Sequence, residues 1–282
     1  MPRIPVGDFI EDVIQYLVDF LEPANNLFVT VIDTSVDGLG LIFGLPPILI
    51  GVVIAAAAWW VSGVGLSIYV VLSMWLIGNM GLWEKTADTL SLLSIAVVIS
   101  LVIGIPLGML MGEFDRFWKV AEPVLDFFQT LHPFVYLIPS VIAFGIGAAP
   151  AVTAAVLYTI PLPIRLTHLG IRSVDKEVVE AGHAFGGTRA QILFKIKLPL
   201  ALKSILAGMN QTILITLSFI VIAALIGAGG LGENIVRGIT RLMLPIGFEA
   251  GIAVVLIAIT LDRLSRGVTE QAMKRFGELP EG

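Results

Sequence analysis

Apolar residues in this chain are gathered into long runs, with charges confined to the run ends. A helix crossing ~30 Å of hydrocarbon needs about 20 mostly apolar residues, and runs near that length fall at 41–60, 64–82, 90–111, 134–147, 151–169, 205–226 and 247–261. The pattern predicts an all-α polytopic membrane protein with about seven transmembrane helices. The fourth run is short and the fifth carries Pro161 and Pro163. Proline inside a span frees backbone carbonyls, which only neighbouring helices or a water-lined path can satisfy, so these two helices are expected to face protein.

A different period precedes the first run. Ile10, Val13, Ile14, Leu17 and Leu21 share one helical face, while Asp8, Glu11, Asp12, Gln15, Asp19 and Glu22 share the other. That is the signature of an amphipathic helix lying on a surface. Two uses stay open for it: an interfacial helix packed on protein or headgroups, or a docking surface for an external partner. A second amphipathic stretch, 26–36, continues it after Pro23.

Composition agrees with a lipid solvent. The 282 residues are 57% hydrophobic and 14% charged, where soluble domains run nearer roughly 25% charged, and the mean hydropathy is +0.95. With no cysteine, disulfides and thiolate chemistry are excluded. A net charge of -5 offers no basic face for phosphates, so no nucleic-acid partner is expected. The acidic start lacks the basic patch and short apolar run of a cleavable leader. Lysine and arginine set the orientation, because short cytoplasmic loops hold their excess. With the carboxyl terminus inside, only Arg3, Lys85, Arg237 and Arg241 of the 17 basic residues fall outside. The expected arrangement is amino terminus out and carboxyl terminus in.

The longest polar interruption, 170–203, lies on the basic side. Asp175 is placed to cap a helix bearing Val178, Val179 and Ala181, and Gly186-Gly187 then stop it. A second helix from about Thr188 carries Ile192, Leu193 and Ile196, and Pro199 ends it or starts the next. A rigid helix-turn-helix projecting from a membrane domain is what a soluble partner needs to grip in order to move the spans.

Within this loop stand Glu180-Ala181-Gly182, then Gly186 after three residues, then Ile196-Lys197-Leu198-Pro199 after nine more. The series resembles the E-A-A, three residues, G, nine residues, I-x-L-P signature of ABC importer permeases, with Gly182 replacing the usual second alanine. Further matches are Gln129-Thr130, the stretch Phe134-Val135-Tyr136-Leu137-Ile138-Pro139, Phe144-Gly145-Ile146-Gly147, Pro163-Ile164-Arg165-Leu166-Thr167, Asn210-Gln211-Thr212 and Gly229-Gly230-Leu231-Gly232. Together, over roughly 90–268, they look like the permease of binding-protein-dependent glycine betaine and proline betaine (quaternary amine) importers.

The resemblance implies a type I importer permease fold in a bacterial inner membrane. It implies two copies of the permease, two cytoplasmic ATPase subunits that bind ATP and Mg, and an external or periplasmic substrate-binding protein. Glu180, Ala181, Gly182 and Gly186 would belong to the ATPase-coupling contact, with Ile196, Leu198 and Pro199 shaping its return to the membrane. The expected domains are an external amphipathic segment (1–38), two accessory transmembrane helices (39–84), the permease core (85–268) with its coupling loop (170–203), and a cytoplasmic tail (269–282). The implied function is ATP-driven uptake of a compatible solute, glycine betaine or proline betaine first. The same architecture importing choline, carnitine, trimethylamine N-oxide or dimethylsulfoniopropionate is the alternative.

Other chemistry finds little support. The run Gly227-Ala228-Gly229-Gly230-Leu231-Gly232 matches G-x-G-x-x-G, but a membrane-length run precedes it instead of a short strand. It reads as a tight external turn leading into an amphipathic segment, 233–242. No lysine follows a glycine, so no phosphate-binding G-K-[ST] element exists and no cofactor is expected in this chain. His132, His168 and His183 lack metal-ligand spacing and read as packing residues. No charge is centred in any run, against an ion-coupled secondary transporter. Asn210, Gln211 and Thr212 lie in the sixth run, either lining a translocation path or bonding neighbouring helices.

Overall fold

The computed structural model describes residues 22–275, with the helical positions Gly7, Gln15 and Tyr16. The amphipathic helix expected over 8–22 and the end of the tail lie almost wholly outside the described residues. Every regular element among the described residues is helical. In chain order they are α1 (Glu22–Phe43), α2 (Pro47–Ser62), α3 (Val64–Asn79), α4 (Trp83–Glu113), α5 (Asp115–Thr130), α6 (Pro133–Phe144), α7 (Ala148–Thr159), α8 (Pro161–Arg172), α9 (Lys176–Ala184), α10 (Arg189–Ile192), α11 (Leu198–Ala223), α12 (Gly230–Thr240) and α13 (Leu244–Arg275).

Among the described residues, five segments are long and apolar enough to cross a membrane: Asn25–Phe43, Trp83–Glu113, Ala148–Arg172, Arg189–Ile226 and Leu244–Lys274. A sixth crossing arises if the pair Asp115–Thr130 and Pro133–Phe144, bent by 99°, counts as one span. The two remaining apolar helices of the expected seven, Pro47–Ser62 and Val64–Asn79, are shorter. The expected first span, 41–60, is cut by Pro46 and Pro47: Pro46 precedes α2 and Pro47 opens it, since neither ring supplies an N–H to continue α1. Residues 26–43, expected to lie partly on the surface, instead form one long helix across the boundary drawn at 38. The expected fourth span, 134–147, is the short second arm of the bent pair.

The helices α2 and α3 are a hairpin of two 16-residue helices joined at Gly63, whose φ of +87° suits glycine. At 1.5 Å per residue each is ~24 Å long, short of a full hydrocarbon crossing. Their inner faces (Ala55, Ala58, Val70, Met74, Ile77) form one core with Ala250, Ala253 and Ile257 of α13.

The centre of the molecule is α4 against α8 and α11. Gly104, Gly108 and Gly112 form a stripe along α4. A Cβ at these positions would stand 2.6 Å from Pro163 Cγ, 2.6 Å from both Ile164 O and Thr167 Cβ, and 2.7 Å from Ile171 Cβ. Small residues at four-residue spacing let two helix backbones approach closely, which is how membrane helices gain packing without a hydrophobic drive between them. As expected from its prolines, the α7–α8 unit is the most deeply buried of the five spans. Thr159 of α7 shares a buried hydrogen bond of 3.0 Å with Ser100 of α4. Helix α5 lies along α8, with Trp118 stacked on His168 at 3.6 Å and the ion pairs Arg165–Asp126 and Arg172–Asp115.

The two ends of this bundle differ. At the Trp83 end, α12 is pinned to α4: Leu231 N donates to Thr89 Oγ1 at 2.9 Å, and Lys85 Nζ pairs with Glu233 Oε2 at 2.6 Å. At the Glu113 end stands the loop between α8 and α11.

Candidate functional site

The stems of that loop are clamped before it leaves the bundle. A Cβ at Gly170, near the end of α8, would meet Ser204 Cβ at 2.8 Å and Ala201 O at 3.1 Å. Ser204 Oγ donates to Leu166 O at 2.8 Å. Ile171, Ala201 and Ile205 form a small core under the loop, backed by Leu193 and Leu198. Lys197 Nζ reaches Glu113 Oε2 at 2.6 Å, both side chains being over four-fifths covered, and so ties the loop's return to α4.

From these stems α9 projects, with none of its residues buried. Asp175 Oδ1 accepts from Glu177 N at 2.9 Å, the expected cap. The helix ends in a Schellman turn: Gly186 N donates to His183 O at 2.9 Å and Gly187 N to Gly182 O at 3.1 Å. Gly186 takes φ +79°, a conformation that costs other residues steric strain. Gly187 is required for a second reason, because a Cβ there would lie 2.8 Å from Gly182 O. Thr188 and Gln191 then close a capping box, Thr188 N to Gln191 Oε1 at 2.8 Å and Gln191 N to Thr188 Oγ1 at 3.3 Å. Helix α10 passes through a π turn, Leu193–Lys197, directly into α11. Pro199 lies at the second position of α11. There, the wider turn before it removes the carbonyl clash a proline causes inside a regular helix.

The signature residues therefore divide by direction. Glu180 and Ala181 are exposed on the outer face of α9, Gly186 makes the turn, and Ile196, Leu198 and Pro199 are half-buried in the returning stem. Gly182 faces inward, where a Cβ would meet Ile196 Cδ1 at 2.6 Å and Ile192 Cγ1 at 3.5 Å. This close seat explains a glycine where the signature usually has alanine. The sequence reading missed Phe185, which is 93% exposed and, with half-exposed Val178 at the previous turns, edges the outer face of α9. Its only sequence signal is a large apolar residue standing among the variable positions between Gly182 and Gly186.

The three adjacent residues of the sixth run separate. Asn210 Nδ2 donates to Asp262 Oδ1 of α13 at 3.2 Å, and its Oδ1 accepts from Ser265 Oγ. Thr212 is fully buried and bonds back to Gly208 O at 2.8 Å. Gln211 points outward on a stripe of α11 shared with Lys203, Ala207 and Ser218, all exposed.

The described residues form a bundle of long apolar helices with one stiff, capped helix-turn-helix at its base. The chain belongs to the family of binding-protein-dependent transport system inner membrane components, whose model matches residues 104–272. It is 40% identical to the glycine betaine transport system permease protein OpuAB of Bacillus subtilis (strain 168), over 98% of both chains. It is 38% identical to the glycine betaine/proline betaine transport system permease protein ProW of Escherichia coli (strain K12), over 96% of this chain and 77% of that one. Among solved structures, an inward-facing MetNI methionine ABC transporter chain superposes with a TM-score of 0.60 at 19% identity, covering 71% of this chain and 97% of that one. The fold is thus that of a type I ABC importer permease, and the chain is an inner-membrane transport subunit.

Proposed function

We propose that this permease conducts a quaternary-amine compatible solute, glycine betaine foremost, and that the α9–α10 loop is where a separate ATPase drives it. The single observation carrying the coupling half is the exposed outer face of α9, Glu180 and Ala181 edged by Val178 and Phe185, on a helix stapled at both ends and rooted in α4, α8 and α11. Phe185 and Val178 on one edge of a stiff projection offer apolar surface that a partner would cover. The substrate half is supported by the two glycine betaine permeases to which the chain is similar over nearly all its length.

In this reading two copies of the chain meet across the α11 stripe that carries Gln211, and an external binding protein delivers the solute at the α12 end. Two cytoplasmic ATPase subunits bind ATP and Mg, and their closure moves the two projecting loops, shifting a two-state equilibrium between inward and outward access. Asn210 and Thr212 support the path as helix-to-helix bonds and core packing. The basic residues around the loop and at the end of α13 support placing this end in the cytoplasm.

The test is ATP-dependent uptake in proteoliposomes holding this chain with its ATPase and binding protein, across labelled glycine betaine, proline betaine, choline, carnitine and trimethylamine N-oxide. Saturable, ATP-dependent uptake of glycine betaine is expected. Uptake of a different solute alone refutes the substrate, and uptake without ATP refutes the coupling.

A further inference from the structure

Between the tip of the α2–α3 hairpin and the lower half of α13 lies a cleft of about 580 Å³, lined by Ser62, Gly65, Tyr69, Arg263, Arg266 and Glu270. Its floor is built. A Cβ at Gly267 would collide with Ser62 Oγ, and Gln271 Nε2 donates to Trp60 O at 2.8 Å and Val61 O at 3.3 Å. Trp59 and Trp60, 66% and 74% exposed, stand one turn before Ser62 on α2, the residue type enriched at membrane borders.

The charges in the cleft are not spent on one another. Arg266 pairs with Asp262 at 2.9 Å, yet among the described residues neither Arg263 nor Glu270 has an ion-pair partner. Ile259, Arg263, Arg266 and Glu270 follow one another along the cleft wall of α13. At 1.5 Å per residue they mark ~17 Å from hydrocarbon toward water, in the order apolar, cationic, anionic. That is the order of the parts of a phospholipid whose headgroup ends in a free ammonium: acyl chain, phosphate, amine. Ser62 and Tyr69 stand on the opposite wall, the Tyr69 hydroxyl donating to Leu256 O of α13 at 3.4 Å.

We propose that this cleft holds one phosphatidylethanolamine, with its acyl chain along Leu66 and Ile259, its phosphate on Arg263 and its ammonium on Glu270. The guanidinium fork suits a phosphate. A carboxylate beyond it favours an N–H-bearing headgroup over a choline, which has no N–H, and over a glycerol, which has no positive charge. The proposal rests on α13 spanning the membrane and is independent of the coupling reading.

The test equilibrates the delipidated full chain in detergent with equal phosphatidylethanolamine, phosphatidylglycerol and phosphatidylcholine, and counts retained lipid by native mass spectrometry. One phosphatidylethanolamine per chain is expected, favoured about tenfold over phosphatidylcholine. R263Q should lower retention of every phospholipid about tenfold, E270Q should remove only the phosphatidylethanolamine preference, and K274Q, the same charge change further along α13, should alter neither. Should R263Q fail to fold, R263K keeps the charge without the fork and is expected to lose about threefold. An intact preference in E270Q, equal losses in K274Q and R263Q, an unaltered R263K, or displacement of the lipid by millimolar inorganic phosphate each overturns the assignment.

Discussion

Replacing Phe185 with alanine removes a ring that touches almost nothing in its own chain, being 93% exposed. Exposed substitutions of this kind shift stability by no more than about 0.5 kcal/mol, so the variant should fold, insert and melt like the parent. If an ATPase groove buries the ring, full burial of a phenylalanine contributes about 1.5–3 kcal/mol. At 1.4 kcal/mol per tenfold this predicts binding of the ATPase weakened about 10- to 100-fold. The assay is titration of the isolated ATPase onto the chain in nanodiscs, with uptake measured in parallel at saturating ATPase. The expected result is a raised Kd with a melting curve unchanged. An affinity within threefold of the parent would refute the docking role of this face, and a lowered melting temperature would show that the ring packs inside the chain.

Gly187→Ala places a Cβ 2.8 Å from Gly182 O and breaks the turn after α9. Limited trypsin digestion should cleave at Arg189 faster while the spans stay protected, and uptake should fall with the loop. Gly108→Ala drives a methyl into Ile164 O and Thr167 at 2.6 Å; overpacking of this kind costs about 1–3 kcal/mol, to be read as a lower melting temperature. The hydrogen bond from Lys85, aided by the Arg237 charge, holds the Glu233 carboxyl below its ordinary 4.5. A lowered carboxylate contributes stability above its unfolded value and loses it as pH falls through the folded one. The melting temperature of the parent should therefore drop below about pH 4.5 more steeply than that of Glu233→Gln, and parallel acid limbs would contradict the link.

Most of the loop was legible because its signals are local. Asp175, Gly186 and Gly187 act on backbone groups within five residues, and the signature spacing places Gly182 and Ile196 without knowledge of the rest of the fold. The span boundaries differed where the cause is non-local or hidden by composition. Between α1 and α2, Gly44, Leu45 and two prolines interrupt an otherwise apolar run, and a hydropathy window averages across them. Helix α5 is too polar to read as membrane-associated; it is held by Trp118 on His168 and by ion pairs to α8, partners about 40 or more residues away in sequence. Asn210 illustrates the same limit. An amide in an apolar run fits a path or a helix contact equally well until Asp262, 52 residues on, is seen beside it.

The stripe of Gly104, Gly108 and Gly112 has a mechanical consequence. With backbone against backbone, α4 and α8 have little clearance to slide past one another, so in the proposed reading they would move as one body between the base and the Lys85 end. At that far end Gly145, Gly147, Gly227, Gly229 and Gly230 all hold positive φ, and Gly147 N donates to Ile226 O at 3.2 Å. Under the coupling proposed above, a stroke delivered at α9 would therefore be felt at these turns opposite, and not only at the loop that receives it.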